Sequence, residues 1–197
     1  MKEESFLEEL SKAQPNPGGG AAAAYGASVA LALLEKIIRL ELNRHFEEGE
    51  KRRSWERRLK QVQKQAVSLS KLRDEDVQAY LRLAEARASG KEGFGLLGVI
   101  DEAIGCPVEI MEKVQTALLL LSDVGKECKN HLVSDLQVAC ELLGAAMEGA
   151  FHIACANLPL VHEASRRERI LEKLCKNREH ARRAYKKAAE ELTARLG

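Results

Sequence analysis

Three short stretches of this chain carry residue types that can do chemistry. The first, Pro15-Asn16-Pro17-Gly18-Gly19-Gly20, runs directly into Ala21-Ala22-Ala23-Ala24. The prolines exclude helix before Gly18, and the alanines favour it after Gly20. The first turn of a helix has N–H groups without partners, so an anion can meet them, and residues lacking Cβ let a ligand approach the backbone. The plain alternative is a glycine-rich linker leading into a packing helix. The second stretch is Asp74-Glu75-Asp76. Leu59, Val62, Ala66, Leu69, Leu72, Tyr80 and Leu83 recur at helical spacing, and continuing that stripe lands on Asp76. An ionised carboxylate on a core-facing stripe is costly unless it is paired or the stripe borders a cavity. Asp74 lies roughly 200° further round the helix, so the two acids face different directions. Asp76 is thus the candidate for buried acid–base chemistry and Asp74 for a solvated or ion-paired role. A buried arginine neutralising Asp76, such as Arg73, is the competing reading. The third stretch holds Asn130 and Ser134-Asp135-Leu136-Gln137, with Asn157 further on. Ser134 to Gln137 reads as a capping box, which needs no function beyond starting a helix. His152 sits among small apolar residues and reads as a core histidine rather than a ligand.

The elements that position these residues are helices. Threonine occurs only twice, and no stretch alternates long enough to make a strand. Ser5-Phe6-Leu7-Glu8 reads as a capping box opening a short first helix. A second helix is expected from about residue 20 to the low forties, a third over about 54–88, and a last one over about 163–196. Gly93, Gly95 and Gly98 read as a loop, after which Pro107 opens the fourth helix, reaching about residue 126. The fifth runs from about 134 to 157, before Pro159. Ala22, Gly26 and Ala30 recur every four residues on the second helix, so another helix can approach its backbone there. The expected architecture is an all-α bundle of five to six helices, several of them long. It forms one domain over residues 1–197, with a homodimer seam on the small-residue face.

Composition bounds the function. The 31 Lys and Arg balance 30 Asp and Glu for a net charge of +1, which disfavours nucleic acid as a partner. The five cysteines are odd in number and form no C-x-x-C, so reduced thiols and a cytoplasmic location are expected. The apolar run from Ala21 to Leu34 is short for a bilayer span, so no membrane role is expected. No histidine has Glu three positions before it, and zinc-type spacing is absent, so no metal is expected.

Five stretches, in chain order, resemble the C-terminal family of formiminotransferase-cyclodeaminase, which includes stand-alone methenyltetrahydrofolate cyclohydrolases. Pro15-Asn16-Pro17-Gly18-Gly19-Gly20 is similar to its P-x-P-G-G-G signature, and Asp74-Glu75-Asp76-Val77-Gln78-Ala79-Tyr80 to its D-x-D-x-x-A-[FY] stretch. Pro107-Val108-Glu109-Ile110 resembles P-L-x-[IL]. Asn130 with Ser134-Asp135-Leu136-Gln137-Val138-Ala139 resembles G-N-…-S-D-x-x-V-A, and Gly149-Ala150 with Asn157-Leu158 resembles G-A-…-N-[LI]. The resemblance implies an all-α homodimer acting on a tetrahydrofolate derivative as substrate, without metal or prosthetic group. The reaction is cyclodeamination of the 5-formimino compound or cyclohydrolysis of the 5,10-methenyl compound. It implies a catalytic role for the Asp74/Asp76 stretch, with Asp76 as general acid and base. Gly18, Gly19 and Gly20 would admit the folate, with helix N–H groups meeting a carboxylate of its glutamate tail. Asp135 would accept hydrogen bonds from the pterin ring, with Ser134, Asn130 and Asn157 orienting the site. The chain departs from the family pattern at Ala21 (usually Ser), Lys36 (often Met) and Ile153 (often Asn), and it lacks an L-P-K segment after the third helix. A diverged member serving as a non-catalytic folate-binding or helical interaction protein is the alternative.

Overall fold

The prolines and glycines do set a helix start. In the computed structural model, which describes residues 3–44, 49–90 and 94–196, the second helix begins one residue past Gly18. The described residues form α1 (Glu3–Leu10), α2 (Gly19–Arg44), α3 (Glu50–Ala88), α4 (Phe94–Glu127), α5 (Val133–Asn157) and α6 (Ala164–Ala194). Short 3-10 turns at Asn130–Leu132 and Leu158–Leu160 flank α5. No strand occurs among the described residues, so the fold is all-α.

Helices α2, α3, α4 and α5 form a ring in which each packs on the next and α5 returns to α2. Successive helices run antiparallel, because the start of α2 meets the late part of α3 and the end of α5 meets the start of α4. Helix α6 lies over α4 and α5. Alanines make the α2 packing tight: Ala24, Ala27 and Ala30 are fully buried, and Leu31, Leu34, Ile37 and Ile38 continue the core. Of the small-residue face expected as a seam, Ala30 lies in this core, while Ala22 and Gly26 are half-buried on the outer side. Trp55 is fully buried near the start of α3. Helix α1 is held by buried Phe6, which sits 4.9 Å from the Tyr25 ring and under the Arg73 guanidinium.

Five expectations are corrected. Pro107 does not open α4: that helix starts at Phe94 and takes in Gly95 and Gly98, while Gly93 lies outside the described residues. A proline inside a helix leaves the carbonyl four residues back without its donor. Here that carbonyl, Ala103 O, accepts from Asn157 Nδ2 at 2.8 Å. Ser134 is not a cap, because the Asn130–Leu132 turn feeds Val133 in helical conformation and places Ser134 inside the first turn of α5. Ser5 likewise lies within α1. Tyr80, assigned to the apolar stripe, is 41% exposed, and the buried line passes through Ala79 and Leu83 instead. The short apolar run also understated α2: this helix and the segment Asn130–Leu160 are long and apolar enough to cross a bilayer by length and composition, yet both pack in the bundle.

Candidate functional site

Two of the three stretches, the glycine-rich loop and the Asp76 segment, meet at one end of the bundle, joined there by Asn157. Helix α3 presents Asp76 to the first turn of α2, where the carboxylate Oδ2 accepts the Ala21 N–H at 2.8 Å. Asp76 therefore caps α2 from 55 residues away, a partner for one of the helix's orphan N–H groups. Gly20 makes the approach possible: a Cβ there would lie 2.1 Å from Oδ1 and 2.6 Å from Cγ, well inside contact distance. Asn16 ties the preceding loop to the same helix, its Nδ2 donating to Val77 O at 3.1 Å.

Beside Asp76 lies a cavity of about 240 Å³. Its walls are the Pro15 to Gly20 loop, Ala79, Tyr80 and Leu83 of α3, Ala103 of α4, and Ile153, Ala156 and Asn157 of α5. Asp76 is the single charged side chain among them. No cation faces it. Arg73, which the competing reading paired with Asp76, is instead bonded to Asp74 at 2.9 Å and stacked on Phe6. Asp74 accordingly has the ion-paired, solvent-facing position expected of it. Partial burial pushes the Asp76 carboxyl up from its ordinary value, and the Ala21 N–H only partly opposes this. The result is a carboxyl group held ready to carry a proton nearer neutrality, lodged against a small, mostly apolar cavity. The nearby Cys106 thiol donates to Leu72 O at 3.4 Å and is pushed up to about 12, first by burial and then by the Asp76 charge. It is a proton-bearing core thiol, not a nucleophile.

The remaining sequence-derived residues divide. Gly18, Gly19, Gly20, Asp76 and Asn157 line the cavity. Asn157 also supports it, since its amide holds the α4 carbonyl that Pro107 frees. Ser134, Asp135 and Asn130 stand at the opposite end of α2. Asp135 pairs with Lys36 Nζ at 2.8 Å, and Asn130 Oδ1 accepts from Arg195. Lys36 is sixteen residues from Gly20, about 24 Å along the helix. The N–H groups of α2 are not all open to a ligand either, because Asp76 occupies one of them. His152, read as a core histidine, is exposed. The departure at Ala21 leaves its backbone N–H in use, whereas Ile153 places a branched apolar side chain against Gly19. Tyr80 and Ala103 belong to the cavity and were missed. Tyr80 follows Asp76 by one helical turn, a spacing that the sequence displayed. Among the described residues no three His, Cys, Asp or Glu side chains gather as a metal site.

The sequence profile of the family described as Formiminotransferase-cyclodeaminase matches residues 2–176. By fold, the chain is similar to a solved formiminotetrahydrofolate cyclodeaminase from Thermotoga maritima, with a TM-score of 0.87. The alignment covers 98% of this chain and 96% of that one at 19% identity, a likeness of fold. No curated protein matches the chain by sequence.

Proposed function

The chain belongs to the formiminotransferase-cyclodeaminase family, and we propose that it is a folate one-carbon enzyme with Asp76 as general acid and base. Its reaction is formiminotetrahydrofolate cyclodeamination or methenyltetrahydrofolate cyclohydrolysis. The observation that carries this reading is the contact of Gly20 with Asp76: a glycine is required so that a partly buried carboxyl, with no cation among the described lining residues, can border the cavity. A purely structural cap needs no such burial, because a solvated Asp or Ser at the start of α2 caps it as well.

Either reaction suits this group. In cyclodeamination, N10 attacks the formimino carbon, Asp76 takes the N10 proton, and the departing nitrogen receives a proton as ammonia leaves. In cyclohydrolysis, a water oxygen attacks the methenyl carbon, Asp76 takes its proton, and the C–N5 bond opens with a proton delivered to N5. The ionised carboxylate also stabilises the cationic carbon centre before attack. No prosthetic group or metal enters these steps, and the tetrahydrofolate derivative is the substrate. The apolar walls at Leu83 and Ile153 suit a flat aromatic ligand.

The reading includes a homodimer. The most apolar 18-residue windows of helix α2 and of the Asn130–Leu160 segment have mean hydropathy 1.5 and 1.3, yet 44% of each window is buried. Val29, Leu40 and Val138 stand exposed on them. A two-fold axis near Ser28, pairing α2 with a second α2, would set Gly20 of one copy against Lys36 of the other. Asp135, Ser134 and Asn130 keep their proposed roles toward the pterin ring through that second copy. Light scattering on the purified protein tests it, a monomer being the contrary result.

The experiment for the activity follows absorbance of 5,10-methenyltetrahydrofolate, then of the product formed from 5-formiminotetrahydrofolate. Enzyme-dependent turnover of either substrate supports the reading. Silence on both leaves a diverged, non-catalytic binding or interaction protein.

A further inference from the structure

Helix α3 presents more than Asp76 to the cavity. Tyr80 and Leu83 follow it on the same face, and Arg87 comes next, in the last turn of the helix. Arg87 lies roughly 20° from Asp76 around the axis and about 16 Å along it. Long helical side chains lean back toward the N-terminus of their helix, a direction that takes the Arg87 guanidinium toward Leu83 and shortens that span by several ångströms. Arg87 is exposed and has no ion pair among the described residues.

None of the described residues lining the cavity is a cation, and Asp76 occupies an N–H at the start of α2. An anionic tail therefore finds no partner inside. Nor is the neighbouring route open to one. On the far side of Ala79 a second cleft is lined by Glu75, Glu102 and Glu109, and its one cation, Arg82, is paired to Glu102 at 2.7 Å. Like charges there repel a carboxylate. Another direction runs along α3, past the exposed Tyr80 ring toward Arg87.

We propose that Arg87 is the residue that selects for the substrate's tail: it holds a carboxylate of the glutamate arm, while the aminobenzoyl ring lies on Tyr80 and Leu83. This rests on the folate reading above. It replaces the N-terminus of α2 as the tail anchor, leaving that helix end to Asp76. The guanidinium fork matches a carboxylate in two parallel hydrogen bonds, which lysine does not reproduce.

The test is equilibrium binding of 5-formyltetrahydrofolate and of its glutamate-free pteroate counterpart to the full chain. Wild type should bind the glutamate form more tightly, by about tenfold for one charge-assisted pair. R87Q should erase that difference and leave pteroate affinity unchanged, with R87K recovering part of it. K36A should preserve the difference. If wild type binds both compounds equally, or if K36A rather than R87Q erases the preference, the proposal fails while the folate reading stands. If wild type binds neither, both fall.

Discussion

Replacing Gly20 by Ala puts the central geometry under direct stress. The new Cβ would lie 2.1 Å from Asp76 Oδ1, 2.6 Å from Cγ and 2.7 Å from Oδ2, where ordinary contact starts at 3.4 Å. The carboxylate must retreat by about 1 Å or more, and it has no flexible stem with which to do so cheaply. Its bond to the Ala21 N–H then lengthens beyond hydrogen-bonding range. A hydrogen bond to a charged group contributes about 1.5–3 kcal/mol, and the gain of Ala over Gly in a helix returns about 1 kcal/mol. The net cost to folding is therefore small, about 0.5–2 kcal/mol. The cost to turnover is larger, since displacing a reacting group by about 1 Å lowers rates by roughly a hundredfold. Steady-state turnover and thermal melting, measured on the same preparation, separate the two. Gly105→Ala is the control: it lies in mid-α4 with nothing within 4 Å of its added Cβ, and it should keep full activity. Turnover of G20A within threefold of wild type would refute the reasoning.

The Asp76 carboxyl also predicts a pH signature. Its pKa is raised in the folded state, so the native protein holds that proton more tightly than the unfolded chain does. Its contribution to stability is present in full below the ordinary value of 3.8 and is lost as pH rises through the raised value. Melting of Asp76→Asn against wild type should therefore shift in favour of the mutant across that window and then level off; a mutant that loses ground with rising pH contradicts the assignment. Asn157→Ala orphans the carbonyl that Pro107 frees and should cost about 1–3 kcal/mol. In a Pro107→Ala background, the restored backbone N–H should reduce that cost to below about 1 kcal/mol, and simple additivity in the double-mutant cycle would show that the two residues are not coupled. Asp135→Asn, breaking a half-exposed pair, should alter stability by less than about 1 kcal/mol. In the proposed homodimer it should weaken 5-formyltetrahydrofolate binding; unchanged affinity removes Asp135 from the site.

What the sequence displayed was local. The span of α2 followed from proline, glycine and alanine chemistry, and the apolar stripe of α3 was enough to make Asp76 stand out. Partners far apart in the chain were not displayed. Nothing around Asp76 says that Gly20, 56 positions earlier, must lack a Cβ, although both motifs were visible. Pro107 reads as a helix start because prolines usually are one, and only the side chain of Asn157, fifty positions on, allows it mid-helix. Ser134 carries a capping-box pattern, yet the preceding 3-10 turn already runs in helical geometry, so the pattern has no terminus to cap. His152 was misjudged for a related reason: small apolar neighbours mark a helix that is packed, but not which of its faces is covered.

The most direct test of the account compares wild type with Asp76→Asn for absorbance loss of 5,10-methenyltetrahydrofolate and for conversion of 5-formiminotetrahydrofolate, with circular dichroism on both proteins. The account predicts turnover of at least one substrate by wild type, none above background by the mutant, and the same helicity in each. Near-normal turnover by Asp76→Asn would contradict it.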